Sequence, residues 1–245
     1  MMIVKGGQNI YSQRIGVLSL DSAFPKPPGH IKHPETFDFP IVYKIIKGIG
    51  TRELILEPGP HLLPPFIEGM NELEEAGVAA ITGSCGFLAL YQQELAAEVN
   101  VPVFMSSLIQ VPLVAAMLGK GRSVGILTAV KSQLTPAHLA AVGAASVPVH
   151  IAGMDDAREF TDVIIKSKRV DMDVDRVREE VLTVAVALVN AHDDIGALVM
   201  ECTDMPPYAV EIQEATGRPV FDLSTLTNMV AEAVRRQPYR GRWTP

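Results

Sequence analysis

The chain contains two cysteines, Cys85 and Cys202, and their placement suggests chemistry before anything else does. The first lies in Thr82-Gly83-Ser84-Cys85-Gly86-Phe87, the second in Met200-Glu201-Cys202-Thr203-Asp204-Met205-Pro206-Pro207. Each follows an apolar run of strand character and precedes a helical stretch. A thiol at such a turn sits near the positive end of a helix dipole, which is expected to lower its pKa from about 8.5. The amides that open the helix lack partners and can hold a carboxylate. Two thiols on opposite sides of one carbon could then work as a pair: one removes a proton from one face and the other returns a proton to the opposite face. The bound carboxylate would stabilise the charge that develops between those steps. A lone cysteine beside a strand is more often simply buried. The matched placement of both argues for function.

Neighbouring residues extend the candidate site. Ser84, Gly86 and Phe87 flank Cys85 as substrate contacts; Gly86, lacking a Cβ, lets a ligand approach the backbone. Thr203 can cap the following helix or donate to a carboxylate. Asp204 either orients a thiol or a substrate amine, or is a carboxylate in the first turn of a helix. Glu201 is expected to face solvent or a polar partner. Asp21 and Ser22 close an early strand. Asp21 either tunes Cys85 and binds an amine or caps a turn, and Thr128 at the corresponding edge of the second half either binds a carboxylate or serves a turn. His30 and His33 lie in a Pro-rich stretch without acidic or Cys ligands at metal spacing, so no metal site is expected. They would meet substrate if that loop closes over the site. No phosphate-loop, dinucleotide-binding, zinc-protease or serine-hydrolase motif is present, and Gly48-Ile49-Gly50 reads as a turn.

These residues need a scaffold that brings distant segments together, and an internal repeat supplies one. A shift of 117 places Ala80, Cys85, Tyr91, Glu94, Pro102, Val103, Phe104, Ser107 and Ala116 on identical residues, nine identities over 37 ungapped positions. About two would arise by chance at ordinary amino-acid usage. A shift of 109 matches Ile15-Gly16-Val17-Leu18-Ser19 to Val124-Gly125-Ile126-Leu127-Thr128. Strands are expected at 15–20, 78–82, 101–105, 123–128, 147–151, 197–200 and 219–223. Helices are expected at 62–76, 87–99, 112–118, 135–142, 174–192, 207–216 and 226–236. Residues 21–60 read as irregular, with one helix or turn within 41–49, and a loop this long is usually functional. Alternating strands and helices make an α/β protein with mainly parallel sheets. The two halves face each other, with Cys85 and Cys202 on opposite walls of a cleft at the C-terminal strand ends. The expected lobes are 1–118 plus 225–245, and 119–224. The last helix is expected to return to the first half.

The 245 residues carry a net charge of −7 and no basic run, which argues against nucleic-acid binding. The first 13 residues do not read as a secretory signal, and no apolar run approaches the ~20 residues of a bilayer span. A cytoplasmic protein that does not engage membranes is expected, with a homodimer as the default oligomer. The acidic stretch 171–180 reads as the solvated start of a helix, and the tail 235–245 as surface.

The cysteine pair, the Cys202-Thr203 context and Ile15-Gly16-Val17 leading to Asp21-Ser22 together resemble the aspartate/glutamate racemase superfamily. That group includes aspartate, glutamate and hydantoin racemases, maleate isomerase and arylmalonate decarboxylase. The resemblance spans nearly the whole chain. It implies two pseudo-symmetric Rossmann-like lobes, each a mainly parallel four-stranded sheet flanked by helices, with the active site between them. It also implies no pyridoxal phosphate, no other cofactor and no metal. Cys85 and Cys202 carry over as the acid/base pair, Asp21 as the acidic residue after the first strand, Ser22 as its hydroxyl neighbour, and Thr203 as the threonine after the second cysteine. Gly86-Phe87 stands where amino-acid racemases usually have Asn-Thr, and Asp204 where glutamate racemases have His. These departures point away from free aspartate or glutamate and toward a less polar pocket. The segment running from Phe24-Pro25 to Phe39-Pro40, together with Cys85-Gly86-Phe87, resembles a separate branch of that superfamily. The expected activity is cofactor-independent racemisation or epimerisation of a small carboxylate or carboxylate-like compound. The alternatives are a one-cysteine decarboxylase or cis-trans isomerase, and a carboxylate-binding protein without turnover.

Overall fold

A computed structural model describes residues 3, 6–7, 10–11 and 14–239. The other positions of the N-terminal stretch, and 240–245 of the tail, lie outside the described residues. Strand β1 (Ile15–Leu20) is a buried apolar run, and it pairs in parallel on one side with β2 (Ile41–Ile46) and on the other with β3 (Ala80–Gly83). Strand β4 (Val103–Phe104) extends the sheet beyond β3. The second half repeats the plan with β5 (Ser123–Thr128), β6 (Val149–Gly153), β7 (Ile195–Met200) and β8 (Val220–Phe221). The strand orders are β2-β1-β3-β4 and β6-β5-β7-β8, with parallel pairing throughout. Near-continuous apolar runs such as IGVLSL and SVGILT suit strands covered on both faces.

The helices are α1 (Thr51–Leu56), α2 (Leu63–Glu75), α3 (Gln92–Ala96), α4 (Gln110–Met117), α5 (Pro136–Ala141), α6 (Arg158–Phe160), α7 (Val174–Ala191), α8 (Ala209–Thr216) and α9 (Leu223–Val234). Three local expectations need correction. Within 41–49 the expected turn is present at 47–48, but a strand that was not expected precedes it: Ile41, Val42, Ile45 and Ile46 are β-branched, and the run pairs along all of β1. Helix α1 forms inside the stretch read as irregular. The single helix expected at 87–99 is a 3-10 turn, Gly86–Tyr91, followed by α3. Gly86, Phe87, Leu88, Ala89 and Tyr91 are all buried there, so tertiary packing sets the winding.

The repeat extends to backbone geometry. Tyr91 precedes α3 at φ −106°, ψ 13°, and its counterpart Tyr208 precedes α8 at φ −108°, ψ 12°. The Ser84 amide donates to the Leu18 carbonyl at 2.9 Å, and the Glu201 amide to the Leu127 carbonyl at 2.8 Å. One apolar core runs through both sheets. Helix α9 crosses back to the first half, where Leu223, Leu226 and Ala231 pack with Ile15, Val17, Ala80 and Phe104. Among the described residues no helix is long and apolar enough to cross a membrane.

Candidate active site

Both cysteines sit where the repeat places them, just past the C-terminal ends of β3 and β7, and both line one cavity. Each carbonyl accepts the amide three residues on, Leu88 to Cys85 at 3.2 Å and Met205 to Cys202 at 3.3 Å. This turn brings an N–H back to each sulfur: Phe87 donates to Cys85 and Asp204 to Cys202.

The thiols are nevertheless not depressed. Burial pushes the pKa of Cys85 well above its ordinary value, and the nearby Glu201 carboxyl adds to this. Burial does the same to Cys202, reinforced by the Asp204 charge. Desolvation therefore outweighs the amides, the reverse of the expectation from the helix dipole alone. Both resting groups are neutral thiols. They differ in their neighbours. The Lys32 cation favours thiolate at Cys85, whereas Cys202 donates its S–H toward Asp204 Oδ2 at 3.7 Å.

The Pro-rich segment closes over the site. His30 is buried, and its Nε2 lies 3.1 Å from Asp204 Oδ1. Its Nδ1 accepts the Lys32 amide at 2.8 Å, so the proton of the neutral ring resides on Nε2 and is donated to Asp204. Burial lowers the His30 pKa and keeps the ring neutral. Burial alone would raise the Asp204 pKa, but His30, Lys26 and Lys32 overcome it and hold the carboxyl below its ordinary value. Lys32 Nζ donates to Ser22 Oγ at 2.8 Å and to the Leu20 carbonyl at 3.0 Å. Gly29 follows this path at φ +100°, where an added Cβ would lie 2.8 Å from Pro207 Cα. The cavity is nearly shut. A water-sized sphere can place its centre in about 10 Å³ of it, room for about one water.

Of the residues singled out from sequence, Ser22, Ser84, Cys85, Phe87, Cys202, Thr203 and Asp204 line this cavity. Asp21 does not join them. Its side chain is 41% exposed, 3.6 Å from Lys47, and accepts the Gly48 amide at 3.2 Å, so it caps a turn. Thr128 stands behind the wall and donates to Glu201 Oε2 at 2.8 Å. Thr203 spends its hydroxyl on the Ser84 carbonyl at 2.7 Å, which joins the two halves. Gly86 is not open to a ligand, because an added Cβ would lie 2.1 Å from the Glu201 carbonyl oxygen and 2.2 Å from Oε1. Glu201 is 1% exposed and has a polar partner, not solvent. Sequence reasoning missed Lys32 and the contributions of Thr51 and Ile55 from α1 to the lining. An acidic residue ending the apolar run of β7 was a readable signal for Glu201; the short α1 offered none.

Among the described residues, one group has the composition for a metal: His150, His192 and Asp194. It lies toward the opposite, N-terminal edge of the second sheet. The two rings stack with centroids 3.7 Å apart and planes 14° apart, so their in-plane lone pairs run side by side and do not converge. His150 pairs with Asp194 at 3.0 Å.

The chain is 30% identical over 223 residues to a dimethylsulfoniopropionate lyase of Durusdinium sp. clade D, covering 87% of this chain and 72% of that one. It is 32% identical over 238 residues to dimethylsulfoniopropionate lyase 6 of Emiliania huxleyi (strain CCMP1516), covering 93% of this chain and 61% of that protein's length. In structure it resembles the Gly74Cys mutant of arylmalonate decarboxylase in a sulfate-associated form, with TM-score 0.60, 15% identity, and 90% and 92% of the two chains covered. The model of the family described as Asp/Glu/Hydantoin racemase matches residues 47–229. The paired strand-end cysteines, the duplicated parallel sheets and this match agree: the chain belongs to the Asp/Glu/hydantoin racemase family.

Proposed function

We propose that this protein is a cofactor-independent lyase that removes a proton α to a carboxylate and expels a leaving group from the β carbon. Dimethylsulfoniopropionate is the substrate to test first. The observation that carries this reading is a closed cavity lined by both thiols and by two opposite charges, Lys32 and Asp204. A zwitterion matches the charges of such a lining once the covering segment moves aside to admit it: its carboxylate toward Lys32, its sulfonium toward Asp204, and its methyl groups against Phe24, Ile55 and Phe87. Cys85, beside Lys32, is the base: it rests as a thiol, the entering sulfonium cation and Lys32 favour its ionisation, and its proton passes to solvent before the site closes. As its thiolate takes the α-proton, the C–H electron pair forms the carbon–carbon double bond and the C–S pair leaves with sulfur. The products are acrylate and dimethyl sulfide, and the proton stays on Cys85. Thiolate and sulfonium charges cancel along this path, which a dry, low-dielectric cavity favours. The two lyase relatives support the same reading.

Racemisation or epimerisation of a small carboxylate is the second reading, favoured by the two thiols in equivalent places. One experiment separates them. Purified protein is incubated in deuterated water with dimethylsulfoniopropionate, and separately with amino acids and hydantoins, and followed by NMR. The expected result is equimolar dimethyl sulfide and acrylate, with kcat reduced about 10³-fold in Cys85→Ser, as for loss of a general base. Deuterium exchange at the α-carbon of an amino acid or hydantoin, without sulfide release, would replace the lyase reading with the racemase one.

A further inference from the structure

We propose that Glu201 acts as a neutral carboxylic acid whose Oε1–H donates to the substrate carboxylate and stabilises the enediolate formed when the α-proton leaves. This rests on the reading above that the ligand is a carboxylate. The geometry leaves the group little else to do. Glu201 is 1% exposed and lines the cavity. Its Oε2 accepts from Thr128 Oγ1 at 2.8 Å, so that oxygen is occupied. Its Oε1 is buried and has no hydrogen-bond partner among the described residues. Gly86, directly after Cys85, is the residue whose missing side chain leaves room for Oε1. A buried carboxyl oxygen without a partner costs free energy unless a ligand supplies one.

The acid must be protonated to donate. Burial raises its pKa to about 7, against the lowering effect of Thr128 and the Ala129 amide, and the Asp204 charge adds to the rise. Cys85 from the first half and Cys202 and Asp204 from its own turn face the same cavity, as do His30 and Lys32 from the covering segment. A neutral acid beside an anionic ligand gains strength as charge builds on the oxygens it contacts, whereas an ionised one repels them. Lys26 also titrates near pH 7, because burial lowers it to about 7, so the test must separate the two.

Propionate, which has the carboxylate but no leaving group, serves as the probe by titration calorimetry from pH 6 to 9. Wild-type affinity is expected to fall about tenfold per pH unit above pH 7. Glu201→Gln, a permanent donor at the same place, should bind with affinity independent of pH, and Lys26→Met should keep the wild-type fall. Against dimethylsulfoniopropionate, Glu201→Gln should retain at least a tenth of the rate, while Glu201→Met should lose about 10²–10³-fold, the usual loss for one oxyanion donor. Absence of propionate binding at pH 6, wild-type affinity that does not change with pH, or a Glu201→Gln profile parallel to wild type would each overturn the proposal. If Glu201→Met does not fold, the Glu201→Gln profile decides. Expected propionate behaviour without sulfide release would sustain Glu201 and sink the lyase reading; sulfide release with flat propionate affinity would do the reverse.

Discussion

Cys85 and Cys202 are 8% and 7% exposed, and desolvation dominates their titration. Alkylation requires thiolate, so both should react with iodoacetamide at pH 7 at under about a tenth of the rate of an exposed thiol, rising toward pH 9. Mass spectrometry of partly alkylated protein checks this; rapid labelling of either thiol at pH 7 would contradict the burial argument. Glu201 has a signature in stability as well. Its folded pKa, about 7, lies above its ordinary value of 4.5. The folded state therefore binds more protons than the unfolded state between those values, and stability falls as pH rises through that window. The loss is on the order of 3 kcal/mol by pH 8. Urea unfolding at pH 5 and 8 should show it, and Glu201→Gln should flatten it. Lys26 contributes the opposite slope above pH 7, because its pKa is lowered on folding. That the two cysteines lie at matching strand ends beside one cavity was readable from their types and spacing. Their pKa direction was not, because burial is a property of the assembled molecule.

At the level of elements, the turns after β3 and β7 and the segment over the cavity hold the site. Gly86→Ala would push a Cβ to 2.1 Å from the Glu201 carbonyl oxygen, a backbone atom that cannot swing away. A loss of about 2–3 kcal/mol is expected, with Tm lower by roughly 4–12 °C on calorimetry. Gly29→Ala combines a left-handed backbone, φ +100°, with a 2.8 Å approach to Pro207 Cα. It should loosen the covering segment and raise KM more than it lowers kcat. Equal falls in kcat and kcat/KM would place its effect on the chemistry instead. The alternation of strands and helices was legible because β1, β5 and β7 are long apolar runs. Strand β2 was hidden among the prolines and glycines of residues 21–60, and its identity depends on pairing with β1. Lys32 was hidden for the same reason: only the path of the chain from Phe24 to Ile31 carries its ammonium to Ser22.

At the scale of the molecule, two sheets share one core, and hydrogen bonds cross between them. Thr203 Oγ1 donates to the Ser84 carbonyl at 2.7 Å, and Ser107 Oγ to the Met200 carbonyl at 2.6 Å. Gln110 Nε2 donates to the Asp222 carbonyl at 2.8 Å. Helix α9 adds an apolar strap from the second half to the first. Urea unfolding should therefore be one transition, coincident by far-UV circular dichroism and by Trp-independent near-UV signals; two resolved transitions would mean that the halves are independent. The duplication itself was visible as nine identities, and the backbone at Tyr91 and Tyr208 matches to within 2° in φ and 1° in ψ. The match ends around the sulfurs: Ser84 stands opposite Glu201, Gly86 opposite Thr203, and Phe87 opposite Asp204. A pocket with unlike walls distinguishes the two hydrogens of a methylene group, although they are chemically equivalent in solution. Under the proposed elimination, propionate derivatives carrying deuterium in only one of those two positions would therefore give alkene that keeps the label from one enantiomer and loses it from the other.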